Sequence, residues 1–214
     1  MFKMPKNLPT KERIFLVAER LFAEKGLDAT SLRDITEEAG VNLASVNYHF
    51  GSKDSLITAV FSRYFAPMNE DRLIMLDAVE RNSGDKAPVL EAVMEAYIRP
   101  VVIRGIDPKH GEFMRLVGRC ISEPFSQVAK YILPHFEELI RRFDEAVARC
   151  LPGLSRDEIF WRMNFTLGAL HHTLHIWSRL DSLSYRPENH TDPEDIIRRL
   201  VAFASAGLRS PGVG

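Results

Sequence analysis

Between Ile14 and Ser52 the sequence is cut by glycine at Gly26, Gly40 and Gly51, and each cut closes a short amphipathic stretch. Glycine inside a helix costs about 1 kcal/mol against alanine, yet it ends a helix readily because it tolerates positive φ. The spacing therefore leaves room for three short helices. In the first stretch Ile14, Val17, Ala18, Leu21 and Phe22 recur at i, i+3, i+4, i+7 and i+8, which is one helical face. Thr10 reads as its N-cap, Glu12 as a first-turn acid and Gly26 as its left-handed C-cap. Ser31 with Asp34 three residues on reads as a capping box, opening a second helix that buries Leu32, Ile35 and Ala39 and ends at Gly40. Asn42 caps a third helix, Leu43 to His49, closed by Gly51. Ser52 caps a fourth, much longer one reaching about Arg81.

The same punctuation continues downstream. Residues 82–88 (NSGDKAP) are a loop by composition, and helices are expected over Pro88–Arg104, His110–Ile121 and Pro124–Arg149, the last kinked at Pro134. After Pro152-Gly153, Ser155 with Glu158 forms a capping box, flanked by Leu154 and Ile159 as a hydrophobic staple, for a helix to about Leu180. Asp181–Thr191 is a polar loop. Asp192, Pro193, Glu194 and Asp195 then supply a cap, an N1 proline and first-turn acids for a last helix to about Arg209. No alternating strand pattern, repeat or low-complexity tract occurs, so the expected fold is all-α with about nine helices.

Composition narrows the function. The 45% hydrophobic and 27% charged fractions suit a globular chain that needs neither metal nor disulfide to fold. Cys120 and Cys150 lie in helical patterns and read as packed, reduced thiols. With no secretory h-region and no apolar run of about 20 residues, the expected location is the cytoplasm, with no membrane partner. The net charge of −1 neither demands nor excludes nucleic acid. Residues 1–65 hold nine Lys/Arg against eight Asp/Glu, so individual cations must carry any DNA argument.

The second and third helices, joined through Ala39-Gly40-Val41, form a helix-turn-helix. Gly40 supplies the turn, Val41 plugs the core, and Val46 and Phe50 hold the third helix against the first. The other side offers Leu43, Ala44, Ser45, Asn47, Tyr48 and His49, small, amide, hydroxyl and aromatic groups suited to a major groove about 12 Å wide. The motif from Leu21 to Leu56 resembles the TetR family of bacterial regulators. The resembling residues are Leu21-Phe22-Ala23-Glu24-Lys25-Gly26, Thr30-Ser31-Leu32-Arg33-Asp34-Ile35, Ala39-Gly40-Val41 and Tyr48-His49-Phe50-Gly51-Ser52-Lys53-Asp54-Ser55-Leu56. The wording of residues 42–50 is most similar to a fatty-acid-responsive, PsrA-like subgroup, as are Phe113-Met114-Arg115-Leu116 and Phe160-Trp161-Arg162.

That resemblance implies an operator-binding, homodimeric regulator, on the family's base rate a repressor, which a hydrophobic effector such as a fatty acid or acyl-coenzyme A releases from a pseudo-palindromic site. It implies an N-terminal arm over 1–9, a DNA-binding domain over 10–56 and an effector and dimerisation domain over 57–214. Ser31 would meet a phosphate, Arg33 a guanine and Lys53 another phosphate, while Asn42, Leu43, Ala44, Ser45, Tyr48 and His49 lie at or beside the groove. Asn47 stands where the family usually has tyrosine, and its amide suits adenine. Each has a plainer reading as well: Ser31 as a cap, Tyr48 and His49 as bundle closures, Lys3, Lys6 and Lys11 as a solvated tail.

Beyond the fourth helix, Tyr97, Phe113, Met114, Phe136, Trp161 and Phe165 are core or the lining of an effector cavity. Arg115, Arg119 and Arg162 meet an effector's anionic end or pair with Glu112, Glu123 or Asp157. Leu167, Gly168, Leu170, His171, His175 and Phe203 are candidate dimer contacts. His171 and His175, at i and i+4, also have a zinc-compatible spacing, but the HExxH acid is missing, so no metal, cofactor or catalytic residue is assigned. Two rivals remain, a DNA-independent helical lipid carrier and a metal-dependent enzyme using His171 and His175.

Overall fold

The computed structural model describes residues 8–122, 125–177 and 192–212. Among these there are ten α-helices, two short 3-10 turns and no strand: α1 (Thr10–Lys25), α2 (Leu32–Ala39), α3 (Leu43–Phe50), α4 (Lys53–Ser83), α5 (Leu90–Gly105), α6 (Gly111–Ser122), α7 (Phe125–Ile132), α8 (Glu137–Cys150), α9 (Arg156–Trp177) and α10 (Pro193–Arg209). The tenth helix exists because Pro134 breaks the helix expected to be merely kinked. Leu133–His135 form a 3-10 turn between α7 and α8, as expected where proline removes a backbone donor and crowds the preceding turn. The Asp181–Thr191 loop and the end of the preceding helix lie outside the described residues, as does most of the N-terminal arm.

The capping signals hold where a side chain makes the cap. Ser31 Oγ accepts from Asp34 N at 3.1 Å and Asp34 Oδ2 accepts from Ser31 N at 2.9 Å. Ser52, Ser155 and Asp192 accept from Ser55 N, Glu158 N and Glu194 N at 3.0, 3.2 and 2.9 Å. Two details at the ends of α1 differ from expectation. Thr10 is the first helical residue and Pro9 precedes it without a side-chain cap. Gly26 has φ 94° and ψ 165°, so it ends the helix outside the left-handed helical region that Gly40 does adopt, at 62° and 43°.

By its contacts the chain divides into residues 1–66 with 109–135, and residues 67–108 with 136–214. In the first unit α1 packs on α2, α3 and α6. Ile14, Ala18, Leu21, Phe22, Ile35, Val46, Leu56, Val60, Phe61 and Leu116 fill its core at 0–2% exposure, each side chain contributing about 1.5–3 kcal/mol if large. An aromatic cluster continues this core, with Phe113 stacked on Tyr64 at 4.1 Å and edge-on to Phe61 and Phe65.

In the second unit α5 packs mainly on α10 and also on α8 and α9. Leu90, Val93, Met94, Ile98, Val102, Phe143, Val147, Leu170 and Leu208 are closed off from solvent. Arg162, 7% exposed, reaches from α9 to the end of α10 and donates to the carbonyls of Gly207, Leu208, Ser210 and Pro211 at 2.7–3.2 Å. Glu158 balances its charge at 2.7 Å. Gly207 and Leu208 stand in the last turn of α10 and Ser210 and Pro211 just beyond it, so one guanidinium gathers four carbonyls at the helix end.

Candidate nucleic-acid interface

The recognition helix α3 is short, so its position depends on what holds its two ends. Asn42 opens it, with Oδ1 accepting from Ser45 N and Ser45 Oγ, both at 2.9 Å. Val46 points inward at 0% exposure. Gly51 closes it at φ 79°. The outward side therefore consists of Leu43 (51% exposed), Ala44, Asn47 and Tyr48 (85% exposed). An 85% exposed tyrosine contributes little to its own fold; its ring meets that of His49 edge-on at 5.0 Å. His49 is half-buried, its ring edge-on to those of Tyr48 and Phe50 at 5.0 and 6.4 Å.

On α2, Arg33 is exposed and its guanidinium has no hydrogen bond or ion pair among the described residues, so its five donors face solvent. Ser31 is occupied by the capping box, and its hydroxyl also donates to Asp34. That hydrogen bond, helped by Lys25 3.7 Å away, holds the Asp34 carboxyl below the usual aspartate range. Lys53, at the first turn of α4, leans on the Asp28 carbonyl at 3.3 Å. The outward set is thus Arg33, Leu43, Ala44, Asn47 and Tyr48, with the half-buried Lys53 held at the Asp28 carbonyl. Ser31, Asn42, Ser45 and His49 spend their polar groups or rings locally.

Sequence reasoning missed the residues that orient the motif. Arg13 donates from α1 to the carbonyls of Ala39 and, at 2.9 Å, Gly40, pinning the turn between α2 and α3. Two turns along α1, Arg20 pairs with Glu24 and Glu38 and so ties α2 to the same helix. Their spacing, i and i+7 on one flank of an otherwise apolar face, is the available signal. Arg119 from α6 caps the carbonyls of Glu24 and Lys25 at 3.1 and 3.0 Å.

The candidate effector residues are divided between the two units. Phe113 is a core aromatic of the first unit, Met114 is half-buried, and Arg115 is exposed and paired with Glu112 at 3.1 Å. Arg119 caps α1, and Glu123 lies outside the described residues. In the second unit Tyr97 is buried and Phe136 is half-buried at the start of α8. Trp161, Arg162 and Phe165 line a groove of about 420 Å³ between α9 and α10, with Phe203 and Leu208. Arg162 pairs with Glu158 rather than with Asp157.

Of the candidate dimer contacts, Leu170 must be corrected: it is 0% exposed and belongs to the protomer's own core. Leu167 and His171 are half-buried, while Gly168, His175 and Phe203 face outward. The aromatic residues Phe160 (53%), Trp161 (57%), Phe165 (66%) and Phe203 (64%) extend this outer face. Among the described residues no three His, Cys, Asp or Glu side chains group as metal ligands. Nor is any described helix long and apolar enough to cross a membrane.

A helix-turn-helix clamped to its first helix, with a free arginine and an outward tyrosine, defines a DNA-binding regulator of the all-helical class. The pattern of bacterial regulatory proteins of the tetR family matches residues 14–60, and that of the tetracyclin repressor-like C-terminal domain matches residues 95–207. The chain is 46% identical over 195 residues, 91% of its length and 89% of the relative's, to the HTH-type transcriptional repressor KstR2 of Rhodococcus jostii. It belongs to the TetR family of transcriptional regulators. Its fold is similar to that of the fatty acid degradation regulator FadR from Bacillus halodurans (TM-score 0.62, 14% identity, 97% and 100% of the two chains). It is likewise similar to a TetR-like transcriptional regulator from Rhodococcus sp. RHA1 (TM-score 0.61, 16% identity, 98% and 100%).

Proposed function

We propose that the chain is a homodimeric repressor whose residues 10–56 read a pseudo-palindromic operator and whose residues 57–214 dimerise and bind an apolar effector that releases it. The observation that carries this reading is the outward face of α3 and α2, where Tyr48 is 85% exposed and Arg33 has its donors free. Arg33 offers a bidentate contact to guanine, Asn47 an amide for adenine and Tyr48 a hydroxyl or ring for backbone or thymine methyl. Lys53 and the α2 N-terminus, with Ser31, supply phosphate contacts. Asn42, Ser45 and His49 shape the helix that presents them. Repression is supported by the KstR2 relative's being a repressor.

Dimerisation is supported by the outer face of α9 and α10. Four large aromatic residues more than half exposed on one face cost free energy in water and are relieved by a second copy. A two-fold pair places its recognition helices about 34–36 Å apart, one turn of DNA. The effector acts by linkage, since a ligand preferring the DNA-incompetent shape lowers operator affinity by its differential affinity for the two shapes.

Fluorescence anisotropy on a labelled fragment from upstream of the coding region, against excess non-specific DNA at two salt concentrations, tests this reading. Nanomolar binding that resists competitor, lost in Arg33→Ala and Tyr48→Ala, supports the site. Retention of specific binding in both variants sinks the residue assignment.

A further inference from the structure

Among the described residues Arg72 is the largest side chain that the fold encloses completely, at 1% exposure, on the part of α4 that belongs to the second unit. Its Nε donates to the Tyr97 carbonyl at 2.8 Å, its Nη1 reaches Asn69 Oδ1 at a long 3.4 Å, and its guanidinium lies 4.4 Å from the Tyr97 ring centroid. Among the described residues no carboxylate pairs with it. Among the described residues the other buried arginine of this unit, Arg162, has Glu158, and the half-buried Arg142 and Arg104 have Asp77 with Glu80 and Asp71. A buried guanidinium without a counter-ion is costly, and a methionine or leucine would fill the same space without that cost. Burial accordingly lowers Arg72 to about 10.

Groups from two further helices face the guanidinium, Tyr97 of α5 and His171 of α9. His171 on α9 is kept towards its neutral form, first by burial and then by the charge of Arg72. The acid Asp144 on α8 acts on Tyr97 and answers to Arg156, not to Arg72. One turn along the same helices stand Leu76, Met94 and Leu174, all buried, and Phe143 meets the Tyr97 ring edge-on at 5.1 Å.

We propose that Arg72, with Asn69, Tyr97 and His171, is the seat of the single carboxylate of an apolar effector, a proposal that rests on the effector reading given above. The guanidinium fork matches a carboxylate with two parallel N–H donors, and a monoanion cancels its single charge. A coenzyme A thioester has lost the carboxylate and carries several phosphate charges that one arginine leaves unbalanced. The site therefore selects a free acid with a hydrocarbon body.

The test uses the full-length protein and three probes of equal chain length: decanoate, methyl decanoate and decanol. Isothermal titration should show decanoate binding at least tenfold tighter than the ester and the alcohol, and Arg72→Met should abolish that preference while leaving binding to upstream DNA intact. In the wild-type protein, carboxyl-labelled decanoate followed by carbon NMR should titrate below its free pKa when bound, because Arg72 favours the anion. This arm decides the matter even where Arg72→Met fails to fold. Equal binding of acid and ester, a preference surviving in Arg72→Met, or a bound carboxyl that titrates at or above its free value overturns the proposal while leaving an apolar effector site. If no probe binds while specific DNA binding persists, the effector reading itself falls, and the proposal with it.

Discussion

At the scale of single residues, conformational freedom and partnered charge decide the expected outcomes. Gly40 adopts φ 62°, and a Cβ there would stand 3.1 Å from the Arg13 guanidinium that pins the turn. Gly40→Ala should therefore destabilise the protein by about 1–2 kcal/mol in a urea titration, with a parallel loss of operator affinity. Arg162→Met removes a buried cation and leaves Glu158 and several carbonyls without their donor. Its loss should cost about 3 kcal/mol, read as a large fall in melting temperature. Arg209 beside Glu91 lowers that carboxyl to about 2. The folded form of such a group binds its proton less readily than the unfolded chain. Its contribution is thus complete above the ordinary glutamate range and lost as pH falls towards 2. Because the pair is largely exposed, Glu91→Gln should change stability at neutral pH by less than about 1 kcal/mol, and it should flatten the acid limb of the stability profile.

At the scale of elements, caps and faces take over. The capping box of Ser31 and Asp34 fixes where α2 begins and therefore where Arg33 stands on its first turn. Ser31→Ala should lower stability by about 1 kcal/mol. If Ser31 also meets a phosphate, operator affinity will fall by more than the circular-dichroism melt explains. The outer face of α9 and α10 makes a different prediction. Phe165 and Phe203 are 66% and 64% exposed, so Phe165→Asp with Phe203→Asp should leave the protomer folded and shift it to monomer in sedimentation velocity. A dimer that survives both changes would place the interface elsewhere.

For the whole molecule, the two predictions meet in DNA binding. A monomer with an intact head holds one half-site only, so the double aspartate variant should lose specific operator binding by several orders of magnitude although Arg33 and Tyr48 are untouched. The dependence on salt should follow the same division. Lys53→Ala should flatten the slope of log affinity against log salt by about 1 per removed phosphate contact, whereas Asn47→Ala should change sequence preference with little change of slope. Equal slopes for wild type and Lys53→Ala would remove that lysine from the phosphate contacts.

The sequence by itself determined the helices, their polar caps and the helix-turn-helix, because these are local. A side chain three residues from a backbone N–H, a glycine free to adopt positive φ and an apolar period of 3.6 act within one or two turns. Ser31, Asn42, Ser52, Ser155 and Asp192 were all legible in this way, and so was the turn at Gly40. Where a local rule admits two outcomes, as with Pro134 kinking or breaking its helix, the tertiary structure decided. It also decided every question of partnership. Arg13 holding the Gly40 turn, Arg119 capping α1 and Arg162 capping α10 join residues 26, 95 and 45 or more positions apart, a separation at which periodicity carries no information. Leu170 and Phe165 read alike as apolar residues of one helix, yet only packing puts the first in the core and leaves the second outside. The burial of Arg72 without a carboxylate is of the same kind, because the cost of an unpaired charge depends on which helices close around it.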